Sequence, residues 1–260
     1  MTFLAAVLLT LSIGDYVAGG LASEPSSRAR VWAGIVSAGV VSGLGSMIFF
    51  DDHAERLVLT LVATVGTVVW LIAKGNRTSG TAWTRPRLAL GTLAVTVGGA
   101  AVLAATFYSA SPAFIDQWLR FAPFPAVWTL RPESFLLLLS LGLFLGSPAN
   151  GVVKAVLTSA GTRWRESEQT LRGGRLIGIL ERWLIFALAI AGDPTAAALV
   201  VSAKSLLRFP EISRSARAEE DARAAAGPRQ IDIVTEYFLL GSLTSWALAI
   251  APALLMRTPP

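Results

Sequence analysis

The sequence predicts an all-α fold, a polytopic transmembrane helix bundle of about eight spans with both termini outside. Three observations predict it. The 260 residues are 53% hydrophobic and only 15% charged, with mean hydropathy +0.60, whereas a soluble domain is about a quarter charged. Apolar runs close to 20 residues, the length that crosses a bilayer's hydrocarbon core, recur along the whole chain. Sustained period-two alternation, the mark of a membrane β-barrel, is absent.

The spans fall at about 2–20, 31–50, 57–74, 88–109, 133–149, 176–192, 194–209 and 232–256. The fifth is ragged and the seventh short, so seven spans is the competing count. The first has no basic segment ahead of it and only a vague cleavage site over Ala18 to Ala22, so it reads as a span rather than a signal peptide. Almost nothing remains for a soluble domain. Residues 1–260 therefore read as a single integral membrane domain. Its first four spans cover 1–110, an outer interfacial segment 111–132, and the last four spans 133–260.

Basic residues orient the bundle. One set of loops holds Arg28, Arg30, Lys74, Arg77, Arg85, Arg87, Lys154, Arg163, Arg165, Arg172, Arg175, Arg208, Arg214, Arg217, Arg223 and Arg229. The opposite set holds only Arg56, Arg120, Arg131 and Arg257. Sixteen against four places the first set in the cytoplasm and both termini outside. The net charge of +5 therefore records topology, and nucleic acid is not an expected partner. Abundant Ala, Gly and Val, with Arg far above Lys, suggest a GC-rich bacterial genome and a bacterial cytoplasmic membrane.

Small residues line the second span in two stripes, Ala38–Ser42–Ser46 and Gly39–Gly43; the fourth carries Gly91, Gly98 and Gly99. Such stripes let helix backbones approach, and packing within the chain is the expected use. Between spans four and five, Phe114, Ile115, Trp118, Leu119 and Ala122 recur at helical spacing against Asp116, Gln117 and Arg120. That pattern predicts a short amphipathic helix in the outer interface, an aromatic belt in preference to a lid. The cytoplasmic stretch 213–226 mixes Arg, Glu and Ala, and reads as a solvated helix or loop that Gly227-Pro228 ends.

The informative residues are ionisable groups inside apolar spans, where each charge at mid-bilayer costs about 2.5–3.5 kcal/mol. Asp15 lies toward the cytoplasmic end of span one, Glu181 and Arg182 interrupt span six, Lys204 interrupts span seven, and Glu236 sits just inside span eight. At 1.5 Å per residue, Glu181 is about 9 Å and Lys204 and Glu236 about 6 Å from the inner ends of their helices. Gly192-Asp193-Pro194-Thr195 makes spans six and seven a tight hairpin. Adjacent residues point about 100° apart, so Glu181 and Arg182 face different partners. The expected pairs are Glu181 with Lys204, which shares a stripe with Arg208, and Arg182 with Glu236 or Asp15. The six residues are either an ion-pair network fixing helix register or an inner-leaflet pocket walled by Arg182, Lys204 and Arg208. Such a pocket would take a small anion, an anionic lipid or a lipid-linked phosphate.

Other chemistry is scarce. There is no cysteine, hence no disulfide or thiolate metal site. His53, the only histidine, stands in the outer loop Asp51-Asp52-His53-Ala54-Glu55, which reads as a solvated acidic loop rather than a metal site. Dinucleotide and P-loop fingerprints are absent, and no cofactor is expected. A shortage of clustered acids and histidines counts against an enzyme and leaves a lipid-modifying activity third in order.

The C-terminal third resembles an uncharacterised family of bacterial polytopic membrane proteins, catalogued as a domain of unknown function. The resemblance rests on Gly174-Arg175-Leu176-Ile177-Gly178-Ile179-Leu180-Glu181-Arg182, Ala203-Lys204-Ser205, Arg208-Phe209, Glu211, Thr235-Glu236-Tyr237 and Gly241, over about 174–245. Members tend to begin with a span carrying His and Asp near a Phe. Asp15-Tyr16 matches this in part, and the His is missing. The resemblance implies a recurring charged module and no known activity.

The first expected function is therefore binding or movement of a small anionic or lipid-linked ligand at the charged cluster, with membrane lipids as partners. The alternative is a non-catalytic membrane subunit or scaffold holding a membrane-protein partner.

Overall fold

The computed structural model describes residues 1–19, 27–74, 85–107, 113–123, 129–160, 174–193, 195–203 and 230–257. The described residues are helical, without strands. The helices are α1 (Thr2–Val17), α2 (Arg28–Phe49), α3 (His53–Lys74), α4 (Pro86–Thr106), α5 (Ala113–Phe121), α6 (Pro132–Ser159), α7 (Gly174–Ile190), α8 (195–203) and α9 (Gln230–Arg257). Among the described residues five segments are long and apolar enough to cross a membrane: Arg28–Phe49, His53–Lys74, Pro86–Thr106, Pro132–Ser159 and Leu239–Met256. Helix α1 is apolar but shorter, at 16 residues.

The helix ends follow local chemistry. Ser27 caps α2 by accepting from the Arg30 N–H. Pro86 opens α4, where its missing N–H is not needed. Gly19 and Gly192 adopt positive φ just beyond α1 and α7, the left-handed turn that ends helices without a Cβ penalty. Asp193 follows and accepts from the Ala196 N–H at 2.8 Å; Pro194, in the turn expected between spans six and seven, lies outside the described residues.

Two compact units divide the chain, Met1–Gly151 and Val152–Pro260. In the first, α1 packs on α2, α3 and α4. It is apolar nearly all round and buried on nearly every side, the pattern of a helix inside a bundle rather than on its surface. The close crossings are glycine contacts that the sequence reading missed. A Cβ at Gly34 would lie 2.6 Å from the Gly14 carbonyl oxygen, and one at Gly66 would lie 2.5 Å from Thr96 Cγ2. Of the two stripes expected to pack, Ala38, Ser42 and Ser46 are buried. Gly39, Gly43, Gly91, Gly98 and Gly99 instead have no described atom within 4 Å of a Cβ position. The physical reason is geometric: residues one apart on a helix diverge by about 100°, so one stripe packs and the next faces outward.

Helix α5 forms over most of the predicted segment. Ile115, Leu119 and Ala122 are its buried stripe, while Trp118 is half-exposed and Phe121 is 82% exposed. Trp118 meets Phe135 of α6 at a ring separation of 5.4 Å. His53 is the first residue of α3 rather than a loop residue, and Asp52 accepts from the Glu55 N–H. Lys154, assigned to a cytoplasmic loop from sequence, is also helical: α6 runs through Pro148 to Ser159, and Lys154 is 9% exposed.

In the second unit α7 packs on α9. Gly241 of α9 faces Leu157 and Val153 on the last turns of α6 at ordinary contact distance.

Candidate functional site

Helix α1 offers its neighbours an apolar surface with one ionisable exception. Asp15, in its last turn, is 0% exposed. A carboxylate removed from water is tolerated only when its oxygens are bonded and its charge is answered. Both conditions are met. Trp70 and Lys74 stand four apart on α3 and so share a face. Trp70 Nε1 donates to Asp15 Oδ1 at 2.9 Å and Lys74 Nζ to the same oxygen at 2.7 Å. The second oxygen accepts from Ser147 Oγ of α6. Lys74 keeps 17% of its side chain exposed, so its stem reaches inward from the end of α3 while Trp70 is wholly enclosed.

Next to Asp15, Tyr16 extends to the same stretch of α6. Its hydroxyl donates to the Leu143 carbonyl and accepts from the Ser147 N–H, each at 3.3 Å. Two helices, α3 and α6, thus converge on two consecutive residues of α1.

In the second unit Arg182 of α7 is 2% exposed and donates to Ser245 Oγ of α9 at 3.1 Å. Glu181, one residue earlier, is half-buried on a different face. No family model, curated protein or solved structure matches this chain. The site is therefore read from its own chemistry.

The sequence singled out Asp15, Glu181, Arg182, Lys204, Arg208 and Glu236. Asp15 has Lys74 as its counter-ion, where the sequence offers Asp15 only as one of two partners for Arg182, beside Glu236. Arg182 is enclosed and faces α9, the helix that carries Glu236, through Ser245. The Glu236 side chain, Lys204 and Arg208 lie outside the described residues, and with them the expected pairing of Glu181 and Lys204.

Four residues were missed: Trp70, Lys74, Ser147 and Tyr16. From the sequence alone, Lys74 is a loop charge that reports topology. The i, i+4 placement of Trp70 and Lys74 at the end of an apolar run was the available signal. Ser147 carried none, because a serine before a proline in an apolar helix is unremarkable until its neighbour is known.

Chemically, Asp15 and Lys74 form a desolvated ion pair with a serine and an indole completing the carboxylate's shell. Arg182 presents a fixed planar cation inside an apolar helix pair, the geometry suited to a carboxylate or phosphate.

Proposed function

We propose that this is a multi-span protein of a bacterial cytoplasmic membrane that binds or moves a small anionic or lipid-linked ligand at an inner-leaflet charged site. The observation that carries the reading is Arg182, a guanidinium 2% exposed on an apolar helix and held by a serine hydroxyl. Ionisable residues placed this way in spanning helices mark ligand or ion paths by default.

The proposed topology has eight spans with both termini outside. In it, spans one, three and five all run inward. Asp15 near the end of α1 and Lys74 at the end of α3 then reach the same side, in keeping with their 2.7 Å contact. The sequence adds Lys204 and Arg208 as further cations for this site, with Glu181 and Glu236 as balancing charges.

Native mass spectrometry in mild detergent tests the reading, with wild type beside Arg182→Ala and Lys204→Ala. A discrete lipid or anion adduct lost in both variants is the expected result. No adduct, with both variants folded or merely less stable, contradicts it and reduces the charges to an internal network.

A second reading, a non-catalytic membrane subunit, draws on Gly39 and Gly43 of α2, whose Cβ positions meet no described atom within 4 Å. Co-purification of a stoichiometric membrane-protein partner, lost in Gly39→Leu, would favour it over ligand binding.

A further inference from the structure

Three features meet in the middle of α6. Pro148 has no N–H, so the Phe144 carbonyl receives no helical bond from it. One position earlier, the Ser147 N–H donates to the Tyr16 hydroxyl, which in turn donates to the Leu143 carbonyl. Leu143 C=O and Ser147 N–H are the two groups that an uninterrupted α-helix joins to each other. Tyr16 therefore bonds both ends of the rung just before the one that Pro148 deletes. Room for it comes from Gly146, where a Cβ would fall on the Tyr16 hydroxyl. The adjacent Asp15 holds the Ser147 side chain, and Lys74 holds Asp15.

We propose that residues 143–148 are a hinge in α6 and that Asp15 and Tyr16 of α1 are its latch. In the latched state the tyrosine hydroxyl is inserted into the 143–147 rung. In the released state it withdraws and Leu143 bonds Ser147 directly. Neither state leaves those two backbone groups unpaired, which is the condition for two arrangements of similar energy. A side chain bonded into the helical ladder and an internal proline are both recognised causes of a sharp bend, and they meet at neighbouring rungs here. This inference stands apart from the ligand reading and does not depend on it.

The test is hydrogen–deuterium exchange resolved at the Ser147 amide, in lipid nanodiscs, comparing wild type with Tyr16→Phe. A residue that merely packs would leave this amide unchanged or faster when truncated. The latch gives the opposite sign: the direct rung replaces the long 3.3 Å bond to the hydroxyl, and exchange at Ser147 slows by about twofold or more, less than the worth of a whole hydrogen bond because one bond replaces another. Unchanged or faster exchange overturns the proposal.

Gly146→Ala supplies a second arm that does not need Tyr16→Phe to fold alone. It crowds the hydroxyl and lowers Tm, and adding Tyr16→Phe to the same chain restores about half of that loss or more, because the two sites are coupled. An equal loss of Tm with and without Tyr16→Phe overturns the proposal as well.

Discussion

Lys74 Nζ lies 2.7 Å from Asp15 Oδ1, joining the last residue of α3 to the last turn of α1 across 59 positions of sequence. The pair answers the one acidic charge that α1 brings into the apolar first unit. Because Asp15 is fully enclosed and Lys74 nearly so, the contact is far more sensitive to loss of one partner than an exposed ion pair would be.

Lys74→Met should therefore destabilise the protein by about 3–5 kcal/mol, the usual penalty for stranding a buried charge. Asp15→Asn should cost less, since the amide oxygen can still accept from Trp70 or Ser147. Asp15→Asn combined with Lys74→Met should be more stable than Lys74→Met alone. Thermal unfolding in detergent, read as a double-mutant cycle, measures this; strict additivity would remove the ion pair from the account.

The two classes of glycine separate cleanly. Gly34→Ala puts a methyl 2.6 Å from the Gly14 carbonyl oxygen, a backbone atom that cannot swing away. The expected loss is about 1–3 kcal/mol, as for other overpacked sites. Gly39→Ala, five residues on, meets no described atom within 4 Å and should stay within about 0.5 kcal/mol of wild type. Comparing the two Tm values checks the assignment of packed and open faces on α2.

Helix α5 offers a similar contrast two residues apart. Leu119 is buried and Phe121 is 82% exposed. Leu119→Ala should cost about 2–4 kcal/mol, and Phe121→Ala much less in detergent. Arg120→Ala removes an exposed i, i+4 pair with Asp116 and should change stability by no more than about 0.5 kcal/mol.

Ser245→Ala deletes the hydroxyl that Arg182 meets at 3.1 Å. A hydrogen bond from a charged donor is worth about 1.5–3 kcal/mol, so a loss in that range is expected in the unfolding of the purified protein. Ser242→Ala, three residues earlier on α9, serves as the control.

The long helices were legible in the sequence because hydropathy and length are local properties. The runs assigned to spans two, three and four agree with α2, α3 and α4 to within a few residues. The α5 helix was legible from the spacing of Ile115, Leu119 and Ala122. What failed were inferences needing a neighbour. Lys154 looks like a loop charge because the apolar run of span five ends near 149, whereas α6 continues through Pro148 to Ser159. Gly14, Gly34 and Gly66 gave no sign of their crossings, because a close approach depends on the rotation of both helices. Asp15 was identified as important from its charge alone. Its ring of Trp70, Lys74 and Ser147 was not, since three long-range registers had to be known together.

The proposed topology puts the charged groups at the inner side of a multi-span bundle. The chain contains no cysteine, so single cysteines can be introduced without a background. Asp52→Cys and Arg77→Cys would each be labelled with a membrane-impermeant maleimide in right-side-out and inverted vesicles. Position 52 should react only from the outside and position 77, beyond the Lys74 end of α3, only in inverted vesicles. Labelling of position 77 from the outside would contradict it, because the Asp15–Lys74 pair and everything placed at its depth would then face the wrong side.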